Sequence, residues 1–336
     1  MNKKKIINFI VLFVAIVLVL FFTLKDDFNN IVNEISKVNI WVYILAIVLF
    51  LVSHIFKAIG LKTFINEYKP YSLKNAYMLT LISLFLNGVT PFQTGGQPFQ
   101  IYLLKKDGVR ISDSTNAMIK DFIAFQSAVI IIGISALVAN NFVGLFDANK
   151  YLNVFIFLGF LINLVVLGLL IFIAVAKKTG YKIMNNIIEF IFKLKITKRF
   201  TNKKEKLQEG LKNFYKTSKE ISKNKTNLVK GIILNILHLS SLYIVPVLVF
   251  KSIGVNISIL ESFTSVAFIM IVGNFIPIPG ATGGAEYSFM QFFGKFISGP
   301  LLSSGMLLWR FATYFFGLII GSITLFFKRG EQSRWE

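Results

Sequence analysis

Apolar positions in this chain come in runs of about 20 residues, the length a helix needs to cross a hydrocarbon core of about 30 Å. Residues 6–24, 40–61, 111–139, 151–176, 228–250 and 301–327 read as six full spans. Two further apolar stretches, residues 73–104 and 257–297, are each interrupted by the same pattern, Pro-x-x-Thr-Gly-Gly, at residues 91–96 and 279–284. The two copies lie 188 residues apart, and Asn87 and Asn274 stand shortly before them. Proline and paired glycines break helices. In lipid an unsatisfied backbone group costs several kcal/mol, so irregular backbone persists there only inside protein or beside water. The pattern predicts an all-α integral membrane protein with six full spans and two broken hairpins, about eight transmembrane segments in all.

The polar positions orient these segments, because Lys and Arg concentrate in cytoplasmic loops. Lys3, Lys4 and Lys5 place the N-terminus inside. Residues 6–24 are too long for the apolar core of a secretory signal, and Lys25-Asp26-Asp27 stands where a cleavage site would, so the run reads as a retained span. Lys62, Lys69 and Lys74 flank one side of the first broken region, and Lys105, Lys106 and Arg110 the other. That region is expected to enter and leave on the cytoplasmic side. Lys328, Arg329 and Arg334 keep the C-terminus inside, which makes the second broken region enter and leave on the outer side. Residues 40–139 and 228–327 then form two halves of an inverted repeat within one membrane domain, 1–336. The arms of the first hairpin, residues 73–90 and 92–104, would rise about 27 Å and 20 Å as helix, so re-entrant half-helices fit better than full spans.

Composition adds the class of partner. Hydrophobic residues make up 55% and charged residues 15%, yet the net charge is +20. Between residues 177 and 230 there are 16 Lys or Arg against 4 Glu, and this basic linker, 177–227, carries Ile183, Ile187 and Ile191 at helical spacing. An anionic inner leaflet is the natural partner of such a segment, and no nucleic-acid motif accompanies it. With no cysteine, disulfides and thiol chemistry are excluded. There is no P-loop, no metal-ligand spacing and no nucleophile–base arrangement, so no cofactor or metal is expected. The Lys, Asn, Ile and Phe bias suggests a bacterial genome, and with it a bacterial plasma membrane.

The candidate translocation residues follow from the breaks and the embedded charges. Asn87, Thr90, Pro91, Thr94, Gly95, Gly96 and Gln97 surround the first break; Asn274, Pro277, Pro279, Thr282, Gly283 and Gly284 surround the second. Helices restarting near Gly96 and Gly284 would turn their positive ends toward an anionic group such as a phosphodiester. The alternative is a pair of tight turns packed together with every group satisfied internally. Charges near the bilayer centre cost from about 3 to over 10 kcal/mol, which singles out Lys120, Asp121, Glu286 and the Trp309-Arg310 pair. Arg310 is expected to pair with Asp121 or Glu286, either as a static lock or as part of a site where these acids receive a headgroup amine. His54 and His238 allow a proton relay, although a histidine near a membrane interface is more often simply hydrogen-bonded.

Residues 87–100, residues 273–286 and the Trp309-Arg310-x-x-x-Tyr314 run together resemble the lysylphosphatidylglycerol synthase transmembrane (flippase-like) family, which includes the membrane half of the multiple peptide resistance factor. The resemblance extends from about residue 8 to residue 328, and the second segment, with Glu286, is the more specific. In bifunctional members a cytoplasmic domain transfers lysine from lysyl-tRNA to phosphatidylglycerol, and the membrane part is implied to move the product outward. No residue of these 336 supplies that transferase. The resemblance implies a membrane lipid flippase acting on a phospholipid such as lysylphosphatidylglycerol. A component of a lysyltransferase working with a separate lipid-modifying enzyme, and a small-solute or ion transporter, are the alternatives.

Overall fold

The computed structural model describes residues 28–147, 150–193, 208, 212, 224–273 and 276–332. The expected first span at residues 6–24, most of the basic linker, Asn274 and Arg334 lie outside the described residues.

The described residues are helical, in the order α1 (Phe28–Ser36), α2 (Ile40–Ile65), α3 (Leu73–Gly88), α4 (Gly96–Lys106), α5 (Ile111–Val143), α6 (Lys150–Lys193), α7 (Lys225–Tyr243), α8 (Val245–Ser252), α9 (Ile259–Gly273), α10 (Gly284–Phe293), α11 (Gly299–Arg310) and α12 (Phe316–Gln332). Short 3-10 turns at Pro91–Gln93 and Pro279–Ala281 separate α3 from α4 and α9 from α10, and a π-turn at Phe311–Phe315 joins α11 to α12. Four stretches are long and apolar enough to cross a membrane: Ile40–Ile65, Ile111–Val143, Lys225–Ser252 and Gly299–Lys328. The architecture is that of an all-α membrane protein.

Local chemistry sets the helix ends. The Asn39 side chain accepts the Trp41 and Val42 amides at the start of α2, and Ser72 accepts the Asn75 amide at the start of α3. Gly144, at φ 70°, closes α5 in the left-handed conformation. Two expectations change. The run 228–250 is not one unbroken helix: α7 stops at Tyr243 and α8 resumes with Pro246 in its first turn, where its missing N–H is harmless. The run 151–176 does not end before the basic linker; α6 continues to Lys193, because no proline interrupts it.

Lipid tails are as apolar as leucine, so helices associate in a membrane through close packing and polar contacts rather than through the hydrophobic effect. α2 packs extensively along α7, and Gly231 permits the close approach there: a Cβ would lie 2.3 Å from the Phe64 ring. Around the second hairpin, Phe250, Phe289, Phe292, Phe293 and Trp309 are buried together, with Phe289 and Trp309 stacked at 4.9 Å.

Polar ties mark the two ends of the bundle. At one end Asp107 accepts from the Tyr71 hydroxyl and, at 2.8 Å, from Lys328 Nζ, while Lys69 Nζ donates to the Asp107 carbonyl at 2.9 Å. Burial, reinforced by the Asp107 bond, pushes the Tyr71 phenol up, so it stays a neutral donor. At the other end the Asn39 amide donates to the Ser252 carbonyl at 2.8 Å, and Lys295 Nζ donates to the Val143 carbonyl at 2.9 Å.

Candidate functional site

The two hairpins enter the bundle from opposite ends. α3 and α4 have their feet at the Asp107 end, α9 and α10 at the Lys295 end, and the turns Pro91–Gln93 and Pro279–Ala281 pack against each other. The 16 residues of α3 rise about 24 Å and the 11 of α4 about 16 Å at 1.5 Å per residue, so neither arm crosses a core of about 30 Å. The 15 residues of α9 and 10 of α10 are similarly short. The turns therefore meet between the two ends of the bundle.

At the first turn Phe92 and Gln93 both have φ 54°, a conformation rarely adopted by residues with a side chain. The backbone groups freed by the break are retied locally. Asn87 Oδ1 accepts the Gly96 amide at 2.8 Å, and Thr90 Oγ1 accepts the Gly95 amide at 2.9 Å while donating to the Leu86 carbonyl at 2.8 Å. Asn87 thus works as an N-cap for α4 from across the break. Replacing it with alanine is expected to cost about 1 kcal/mol of stability, whereas Asn87→Asp, which keeps the acceptor, should lose less. Denaturant unfolding in detergent checks this, and equal losses for both variants would count against the cap. Pro91, Gln93, Thr94 and Gln97 remain exposed.

The second turn is closed over. Gly280, Ala281 and Thr282 are buried, and Thr282 Oγ1 donates to the Pro279 carbonyl at 2.9 Å; Pro277, just before the turn, is exposed. Glu286, on the first turn of α10, reaches back so that its Oε2 accepts the Gly283 amide at 2.7 Å. Its other oxygen accepts from Arg310 Nε at 2.6 Å, and Arg310 Nη2 donates to the Gly280 carbonyl at 3.0 Å. Arg310 also lies 5.6 Å from the Trp309 ring and 5.0 Å from the Tyr314 ring. Both members of the pair are buried, at 6% and 7% side-chain exposure. The amides of Gly95, Gly96 and Gly283 are thus occupied by Thr90, Asn87 and Glu286, and Gly284 opens α10 packed against Ile276.

Of the two acids expected for Arg310, the structure supplies Glu286. Asp121 belongs to a separate cluster, held 2.8 Å from Lys57 Nζ, which also donates to Asn235 Oδ1 at 3.0 Å. Lys120 points elsewhere again and pairs with Glu67, which accepts the Asn227 side-chain amide at 2.9 Å. Lys120 and Asp121 are thus not part of the Arg310 centre. His54 and His238 face each other edge to face, 4.8 Å between centroids. Their Nδ1 atoms lie 2.8 Å from the Phe50 carbonyl and 2.9 Å from the Ser53 carbonyl. A carbonyl can only accept, so each Nδ1 carries the proton.

Sequence reasoning gave Tyr314 no role. It lies one turn beyond Arg310, its hydroxyl donates to the Gly88 carbonyl at 3.1 Å, and its ring covers Gly280. One side chain thus touches both hairpins. The i to i+4 spacing from Arg310 within an apolar run was the available signal. Glu67 and Asn235 were also missed, since both act across helices whose facing sides no linear pattern reveals.

Comparison with known proteins agrees with the helical architecture. Residues 8–321 match the family described as the lysylphosphatidylglycerol synthase TM region. A "UPF0104 membrane protein" from Archaeoglobus fulgidus is 23% identical over 275 residues, covering 78% of this chain and 79% of the relative. An "Uncharacterized protein MG306 homolog" from Mycoplasma pneumoniae is 26% identical over 350 residues, covering 94% of this chain and 85% of the relative.

Proposed function

This chain belongs to the lysylphosphatidylglycerol synthase transmembrane family, and from that premise we propose that it moves a phospholipid between membrane leaflets. One observation carries the reading. Two broken hairpins enter from opposite ends, and their turns meet with the polar residues of the first exposed. Exposed polar groups at that depth need water or a polar ligand beside them, and paired helix breaks in two halves of a transporter mark the substrate path. In this reading residues 40–139 and 228–327 are the inverted halves. The headgroup passes along the first turn, at exposed Pro91, Thr94 and Gln97 and beside half-buried Thr90, while the acyl tails stay in lipid. Arg310, Glu286 and Tyr314 fix the second turn as the wall of that path. In this reading both termini lie in the cytoplasm of a bacterial plasma membrane, an orientation that positive-inside patterning supports, and any lipid-modifying enzyme acts as a separate partner.

The test is reconstitution into liposomes with tail-labelled lipids and a leaflet-selective quencher. The expected result is lipid exchange well above protein-free vesicles, reduced toward that baseline by Gly96→Leu. A Cβ at Gly96 would lie 2.6 Å from Asn87 Oδ1 and displace the cap. Wild-type exchange no faster than that of protein-free vesicles would end the proposal.

A further inference from the structure

The embedded charges of this protein are already matched to one another. Among the described residues, every buried charged side chain sits in an ion pair: Lys120 with Glu67, Asp121 with Lys57, Glu286 with Arg310, Asp113 with Arg110, and Lys328 with Asp107. The two acids that a cationic headgroup would seek, Asp121 and Glu286, are both occupied. Glu286 is doubly so, since its second oxygen caps the Gly283 amide. Freeing Glu286 for an amine would leave Arg310 buried without its anion, an arrangement that strongly destabilises proteins, and freeing Asp121 would unpair the half-buried Lys57.

The exposed first turn offers a different chemistry. Its accessible side chains include Gln93, Thr94 and Gln97, which are uncharged and can both donate and accept hydrogen bonds. Hydroxyl groups of a glycerol or a sugar make the same two-way bonds and carry no charge to neutralise. An aminoacylated headgroup would bring cationic amines to a turn whose own side chains carry no charge, while the buried carboxylates among the described residues are already paired, and would lose hydration there without compensation.

We propose that the headgroup selected at this turn is uncharged and hydroxyl-bearing beyond its phosphate, as in phosphatidylglycerol, and that aminoacylated lipids are disfavoured. The inference rests on the reading that the turns line a lipid path. The phosphate is common to the lipids compared and therefore cancels between them.

The experiment uses the full chain in phosphatidylcholine vesicles carrying trace tail-labelled phosphatidylglycerol or lysylphosphatidylglycerol. Phosphatidylglycerol should exchange about ten-fold faster than its lysyl ester, whose two added amines lose hydration at an uncharged turn. Gln97→Glu places a carboxylate there and should speed lysylphosphatidylglycerol specifically, a gain that a misfolded protein cannot give. Lysylphosphatidylglycerol moving as fast as phosphatidylglycerol in the wild type would overturn the headgroup assignment while sustaining transport. A ratio unmoved by Gln97→Glu would remove the first turn from recognition. Neither lipid moving above protein-free vesicles would overturn the transport reading itself.

Discussion

Arg310→Met is expected to destabilise the protein by about 3–5 kcal/mol, because it leaves the Glu286 carboxylate buried without its cation. The effect should exceed that of an exposed ion pair, worth about 0–1 kcal/mol, since both side chains are nearly sealed from solvent. Arg310 additionally holds the Gly280 carbonyl, so its loss also unties the second turn. The companion variant Arg310→Met/Glu286→Gln removes the orphaned charge and keeps an acceptor for the Gly283 amide. It should recover a large part of the loss. Denaturant unfolding in detergent of both single variants and the double variant gives the coupling between the two residues. Additive losses would show that the pair is not the unit described here.

Gly280→Ala is expected to cost about 2–5 kcal/mol, from two separable causes. At φ 66° a side chain is strained by about 1–2 kcal/mol. A Cβ would also lie 2.4 Å from two atoms of the Tyr314 ring, an overpacking worth about 1–3 kcal/mol. Tyr314→Ala in the Gly280→Ala background relieves the second cause and leaves the first. The same cycle of unfolding measurements separates them. Absence of coupling between positions 280 and 314 would mean that Tyr314 does not cap the turn.

Much of this was legible in sequence wherever backbone chemistry alone decides. Proline and glycine pairs placed both breaks: the 3-10 turns begin at Pro91 and Pro279, and the helices restart at Gly96 and Gly284. Glu286 as a partner of Arg310 was also among the readings, since few charges survive in apolar surroundings and these had to find each other. What the linear pattern did not carry was the choice between equally apolar faces. Asp121 pairs with Lys57, a residue 64 positions away on another helix, and only the packing of α2 against α5 and α7 brings them together. Pro246 was visible, yet a break so near a span's end hardly lowers its hydropathy. The helical spacing of Ile183, Ile187 and Ile191 was visible, but its continuity with the apolar run was hidden, because polarity changes at Lys177-Lys178 and Gly180 reads as a break.

The matching of internal charges has an electrical consequence. A buried acid and base that move together sum to zero, so displacing such a pair carries no net charge through the membrane field. The transmembrane potential is worth about 2.3 kcal/mol per elementary charge per 100 mV. On the proposed reading, a voltage dependence of lipid exchange would report the charge on the lipid and not that of these pairs.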